Sequence, residues 1–355
     1  MQKKNKKRLN GRLAGWLNII GLAVFLLALP LFFRMGGGEY AMAEVLPGQA
    51  ETRGLSVGAL FEEEEKTVVS ANIIGADDVE FSKTLAVSAG GRPLYVTGEE
   101  LAKMKDLSYL RSKYYIVDSR TSLLEGDIPV EEALGLDLTI EKTKKEPKIL
   151  IFHTHSHEGF ADSDMKKGLS EGIWGVGEEL KRILEEEYGI GVIHDRGQYD
   201  VVNGKGQVTG AYERMEPPIR EILTKYPSIE VCIDLHRDGV AEGTRLVTEI
   251  DGKKCAQIMF FNGLCRLNRN GTAQPIAGLE NPYLKENLAF SLQMKTAAES
   301  LYPDFTRKIY LNAYRFSLHM LPRSTLVEVG AQTNTKQEAL NAMEPLAEVL
   351  ASVLS

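Results

Sequence analysis

The chain is poor in cysteine: its 355 residues hold only Cys232, Cys255 and Cys265, with no CxxC pair among them. An odd number of isolated thiols builds neither a complete disulfide framework nor a cysteine metal site. Cys232 lies in an apolar run and reads as a buried thiol. Other signatures are missing too. No Gly-x-Ser-x-Gly elbow occurs, and no His-Glu-x-x-His, which removes the serine hydrolases of that type and the commonest class of zinc peptidase. Gly204, Gly206 and Gly210 lack the spacing of a dinucleotide fingerprint and open no helix after a strand, so they make no phosphate cradle. No internal repeat is found. Excess positive charge is absent from most of the chain. Residues 1–12 carry six cations (Lys3, Lys4, Lys6, Lys7, Arg8, Arg12) and no acid, and against an overall charge of -7 this leaves the remainder at -13. A globular part that acidic argues against nucleic acid as the main partner.

What is present begins with a membrane signal. Leu13 to Phe33 is a 21-residue run without charge, with Asn18 as its one strongly polar residue and Pro30 near its end. It matches a hydrocarbon core of about 30 Å. The basic flank at 1–12 sets the N-terminus in the cytoplasm and everything beyond about residue 36 outside. A cleaved signal peptide, ending at Ala41-Met42-Ala43, is the alternative; the length of the run and the distance to that site favour an anchor at 13–33. Residues 34–100 read as a tether and linker, with Gly36-Gly37-Gly38 and the solvated run Glu62–Glu65. The rest, 101–355, is long enough for one large domain, and 43% hydrophobic with 26% charged residues is a globular composition.

From Lys148 the pattern sharpens. Ile149–Phe152 is an apolar strand of the doubly buried kind. Val176, Leu180, Ile183 and Leu184 mark a helix that Gly189 follows, and residues 211–225 a second. Ile229–Leu235 is another buried strand. Asp251-Gly252 predicts a hairpin between 245–250 and 256–261. Leu284, Leu288 and Leu292 mark a helix that stops before Pro303; Leu326–Val329 is a last strand; Leu340 to Val353 a closing helix. Strands alternating with helices predict an α/β fold: a mostly parallel or mixed sheet flanked by helices, with ligands beyond the carboxyl ends of the strands. Residues 67–145 give little beyond a short strand at Tyr114–Val117.

Three groups carry chemistry. The first is His153-Thr154-His155-Ser156-His157-Glu158, at the end of the first strong strand. Zinc takes imidazole nitrogen and carboxylate oxygen, and residues three apart, as His155 and Glu158 are, face one ion in a tight turn. One such histidine alone reads as an exposed loop or a satisfied core residue; three with a glutamate favour metal. The second is Asp234-Leu235-His236-Arg237-Asp238, again after a buried strand. His236 is a further candidate ligand, with Asp234 or Asp238 on its other nitrogen; a salt-bridged loop around Arg237 is the plainer reading. The third is Glu328 inside the apolar run Leu326–Gly330, where a carboxylate is costly unless paired or working. It suits a general base, or else the open face of an edge strand.

At these residues the chain resembles the stage II sporulation protein P family of endospore-forming bacteria. The strings that carry the resemblance are Ile149–Glu158, Val176–Leu180, Gly210–Tyr212, Asp234–Gly239, Ala256–Phe260, Glu286–Leu288, Leu326–Gly330 and Asn334-Thr335, in order over roughly the last two-thirds of the chain. The resemblance implies a zinc-dependent N-acetylmuramoyl-L-alanine amidase, with endopeptidase activity on cross-linking peptides. It implies a role in forespore engulfment, in the mother-cell membrane, with peptidoglycan as substrate and stage II sporulation proteins D and M as partners. The metal set carried over is His155 (with His153 as the alternative), Glu158 and His236; Glu328 is catalytic, and His319 lies where the family also has a histidine that meets substrate. His157 stands where the family has a small polar residue, so the choice among His153, His155 and His157 stays open, and residues 200–209 also depart from the pattern. A zinc carboxypeptidase and a non-catalytic wall-binding scaffold are the rival readings.

Overall fold

The computed structural model of the chain describes residues 85–87 and 93–355. The run Leu13–Phe33, the cleavage-site alternative and most of the tether lie outside the described residues. Among the described residues no helix is long and apolar enough to cross a membrane.

A short ribbon, β1 (Leu85–Val87) with β2 (Pro93–Thr97), leads into α1 (Gly98–Met104), α2 (Leu107–Tyr114), β3 (Tyr115–Val117) and α3 (Val130–Gly135). Then follow β4 (Ile149–Phe152), α4 (Ile173–Glu186), β5 (Val192–His194), the small ribbon β6 (Val201–Val202) and β7 (Lys205–Gly206), and α5 (Ala211–Lys225). The remainder is β8 (Val231–Asp238), β9 (Val247–Ile250), β10 (Lys253–Ala256), β11 (Ile258–Gly263), β12 (Arg266–Arg269), β13 (Thr272–Pro275), α6 (Leu284–Leu301), β14 (Ile309–Asn312), β15 (Arg323–Ala331), α7 (Lys336–Asn341) and α8 (Met343–Val353).

Seven strands form one mixed sheet in the order β3-β14-β11-β15-β8-β4-β5, flanked by helices. Each neighbouring pair is parallel except β11 with β15. The sheet is therefore two parallel blocks set in opposite directions and joined at that one antiparallel seam. Two expectations need correction. The hairpin at Asp251-Gly252 joins β9 to β10, four residues each, as a separate ribbon; β11 starts afresh at Ile258 and enters the main sheet. The strand expected to end at Leu235 runs on to Asp238, because β15 pairs with it through Glu328↔His236.

Period-two alternation assigns the two faces of the sheet. Ile149, Ile151, Ile233, Leu235, Phe260, Val327 and Val329 enter the main core, which α4, α6 and α8 complete through Val176, Leu180, Leu184, Leu288, Leu292, Leu346 and Leu350. Leu94 and Val96 of β2 are buried in the same core. Leu150, Phe152 and Cys232 point the other way and meet Tyr212, Met215 and Ile219 of α5. Met259, Phe261 and Leu326 form a third cluster on that second face. Asp234, His236 and Glu328 share its alternation, so polar groups occupy the carboxyl half of β8 and β15 where apolar ones fill the rest.

Candidate metal centre and active site

Beyond Phe152 the chain leaves the ladder and folds back over β8. Thr154 fixes this turn: its backbone N and its Oγ1 donate to the two oxygens of Asp234, at 2.9 and 2.7 Å. His155 is thereby buried, edge-on to His236 at 5.3 Å between ring centroids and to Tyr212 at 5.8 Å. Glu158 is buried as well. Its Oε2 accepts from the backbone N of Arg237 at 2.9 Å and stands 3.5 Å from His236 Nδ1. The Arg237 side chain donates to the Gly159 carbonyl and so ties the Glu158 turn to β8.

His236 is wholly buried, and its two nitrogens differ. Nε2 donates to Asp234 Oδ1 at 2.7 Å, while Asp234 Oδ2 also accepts from Ser317 Oγ at 2.7 Å. Nδ1 is left facing Glu158 with no hydrogen bond of its own. Burial opposes charge here, yet the Asp234 and Glu158 carboxylates outweigh it and hold His236 well above the usual imidazole range. Asp234, against the cost of burial, is held down to about 2 by His236 and by its donors. Burial, reinforced by His236, pushes His155 below the ordinary value. The surrounding carboxylates thus favour positive charge on His236.

Glu328 stands beside His236 in strict register on β15. It is 1% exposed, and its Oε2 has no hydrogen-bond partner. Burial, then the Asp238 carboxylate, push its pKa well above the carboxylate range. Asp238 itself is ion-paired to Arg307 at 2.8 Å.

The donor set suits zinc. His155 Nδ1 and His236 Nδ1 are buried nitrogens without hydrogen bonds, and a carboxylate holds the second nitrogen of His236 as metal-bound imidazoles require. Donors 2.0–2.1 Å from a tetrahedral ion stand about 3.3 Å apart, close to the spacing of His236 Nδ1 and Glu158 Oε2. Among the described residues no three His, Cys, Asp or Glu side chains stand together in an arrangement that could hold a metal ion as it is. Buried polar atoms are mostly paired, so His155 Nδ1 and His236 Nδ1, without hydrogen bonds, are what support a metal here, although His194 Nδ1 and both nitrogens of His319 lack hydrogen-bond partners too.

The remaining histidines are engaged elsewhere. His153 turns to the main-core side: its Nδ1 donates to the Leu235 carbonyl at 2.6 Å and its Nε2 meets His194 Nε2 at 2.7 Å. His157, a third exposed, binds Asp200, which also accepts from Ser156 Oγ and the His157 backbone N. His319 is buried with Nε2 3.0 Å from Glu216 Oε1, but off the hydrogen-bond line. Thr154, Asp200, Ser317, Arg307 and His194 escaped the sequence reading. The first four sit in turns or ordinary polar context with no periodic signal. His194 had one: like His153, it ends an apolar strand.

The sequence profile described as stage II sporulation protein P matches residues 95–351. Among solved structures, the chain is similar to the apo form of the N-acetylmuramyl-L-alanine amidase Ami1 from Mycobacterium abscessus, at 12% identity and a TM-score of 0.34, covering 59% of this chain and 97% of that one. It is similar to the N-acetylmuramoyl-L-alanine amidase from Clostridium difficile 630, at 13% identity, TM-score 0.33, and 59% and 94% coverage. The corresponding values for N-acetylmuramoyl-L-alanine amidase AmiC2 of Nostoc punctiforme are 14%, 0.31, 58% and 94%. No curated protein matches.

Proposed function

The chain belongs to the stage II sporulation protein P family, and from that premise we propose that it is a zinc-dependent peptidoglycan amidase that cuts the amide between the lactyl group of N-acetylmuramic acid and L-alanine. The observation that carries the reading is the buried cluster in which two imidazole nitrogens without hydrogen bonds and the Glu158 carboxylate lie next to Glu328, whose Oε2 has no hydrogen-bond partner. His155, Glu158 and His236 would hold the metal. Zinc, when bound, supplies Lewis acidity toward water and toward the scissile carbonyl. Asp234 keeps the proton of His236 on Nε2, so that Nδ1 offers its lone pair. Glu328, whose raised pKa a bound cation would bring back down, takes the proton of the attacking water and returns it to the leaving amine of L-alanine. His319 faces substrate from the segment whose Ser317 also orders Asp234.

On the same reading the enzyme is anchored by residues 13–33 and works outside the membrane. It acts on the wall during engulfment, with stage II sporulation proteins D and M as partners and with further cleavage of stem-peptide cross-links. Metal analysis of the purified full-length chain, paired with product analysis on isolated peptidoglycan, tests the proposal. About one zinc per chain and intact stem peptides with a free L-alanine amine are expected. Release of single amino acids would instead mark a carboxypeptidase, and binding without products a scaffold.

A further inference from the structure

Two of the three histidines that the proposed chemistry leaves aside, His153 and His194, are joined to each other where the β4–β5 and β4–β8 ladders end. β5, β4 and β8 are neighbours in the sheet, and their ladders stop together: the last pairs are Ile151↔His194 and Phe152↔Asp234. One residue further, the His153 side chain takes over. Its Nδ1 donates to the carbonyl of Leu235 at 2.6 Å, which places the proton on Nδ1 and leaves Nε2 to accept from His194 Nε2 at 2.7 Å. Leu235 is the residue before His236.

The pair is held from outside by α4. Trp174 lies over the His194 ring, with centroids 4.9 Å apart, and Glu178 Oε1 stands 3.0 Å from His194 Nδ1, off the hydrogen-bond line. Between them the helix carries Gly177, where any side chain would force the two rings to shift. A Cβ there would lie 2.7 Å from His153 Nε2 and 2.9 Å from His194 Nε2. The helix surface is cut away at the point where the two rings meet.

We propose that His153 and His194 are positioning residues for the metal ligand His236: the imidazole pair replaces the missing ladder bond between β4 and β8 and sets the backbone of His236 at the depth where Nδ1 meets Glu158. The inference rests on the proposed zinc site and gives His153 a role other than ligand. It makes His153, His194 and Gly177 one unit, although only the strand ends connect them in the sequence.

The test measures zinc affinity of the full-length chain by competition with a chelating dye, together with kcat and KM on peptidoglycan, for His153→Asn, His153→Leu and Gly177→Ala. Asparagine keeps a donor near the Nδ1 position, so His153→Asn should hold zinc within about threefold of the unsubstituted chain. His153→Leu and Gly177→Ala should each weaken zinc about 10- to 100-fold, the usual cost of losing an outer support, with the loss of activity in kcat rather than KM. Gly177→Ala leaves every imidazole in place, so its effect separates positioning from ligation. Equal loss in His153→Asn and His153→Leu would make His153 a ligand and overturn the proposal; so would unchanged affinity in His153→Leu and Gly177→Ala. An unsubstituted chain that takes up no zinc would fail one step earlier, on the metal reading itself.

Discussion

At the residue scale, the centre turns on which nitrogen or oxygen is left over once neighbours have been satisfied. Asp234 binds four donors' worth of Thr154, Ser317 and His236, and so decides that His236 presents Nδ1 inward. The carboxylates around it raise His236 above its ordinary value, which favours its protonated form in the metal-free chain. Zinc uptake must displace that proton, and affinity should fall as pH drops through and below the raised value. Titration calorimetry in buffers of differing ionisation enthalpy should show protons released as zinc binds; uptake without proton release at any pH below the raised value would show that His236 is not a ligand. Glu328 gives a second expectation. Glu328→Gln keeps shape and burial but removes the proposed base, so zinc content should hold while hydrolysis falls about two to four orders of magnitude. Loss of zinc in that variant would make Glu328 a ligand, and full activity would pass the role to His319. The residue types of this centre could be read in advance because three histidines with a glutamate at a strand end are rare by chance. The orientation of each could not. His153 and His155 differ by two positions, yet one faces α4 and the other His236, since the strand ends between them and period two no longer applies.

At the element scale, the buried strands and the longer helices followed from periodicity, and Leu284–Leu301 and Ala211–Lys225 lie where apolar spacing put them. Direction did not follow, because a strand buried on both faces reads the same either way. The seam between β11 and β15 is set by tertiary pairing alone. The early helices α1 to α3 are short, and their few apolar positions give no repeat to read. β15 shows how an element places one side chain. It pairs with β8 as far as Glu328, and its register slips before Ala331. Gly330 makes the slip at φ 58, where a Cβ would come within 2.6 Å of Asn334 Oδ1 and 2.9 Å of Ala256 Cβ. Asn334 in turn accepts from Ala331 N, and Thr335 with Glu338 forms a capping box on α7. The segment from Glu328 to Thr335 is thus one device that ends the strand just past Glu328. Gly330→Ala should cost about 1–2 kcal/mol from backbone handedness alone, and more from the clash. Thermal unfolding should show a midpoint lowered by at least about 2 °C. An unchanged midpoint would mean the bulge relaxes freely and does not fix Glu328.

At the scale of the whole molecule, the sheet puts its chemistry on one face and its main core on the other. On the proposed function, the acid-rich body has to be held near its substrate by something other than charge. Wall glycan is an extended solid, and an enzyme confined to the membrane beside it meets that solid continually, where a free one diffuses away. The segment that would do this lies outside the described residues, so its case is the sequence: 21 uncharged residues behind six cations, long enough for a bilayer and oriented by the basic flank. The full-length chain expressed in a spore-forming host should therefore sediment with membranes and resist extraction by salt and alkali, since a spanning helix is held by apolar burial rather than by ion pairs. External protease should still digest the body from residue 93 onward in intact protoplasts. A mature form starting at Glu44 and recovered in the soluble fraction would overturn the anchor in favour of a cleaved leader, and protection of the body from external protease would overturn the orientation.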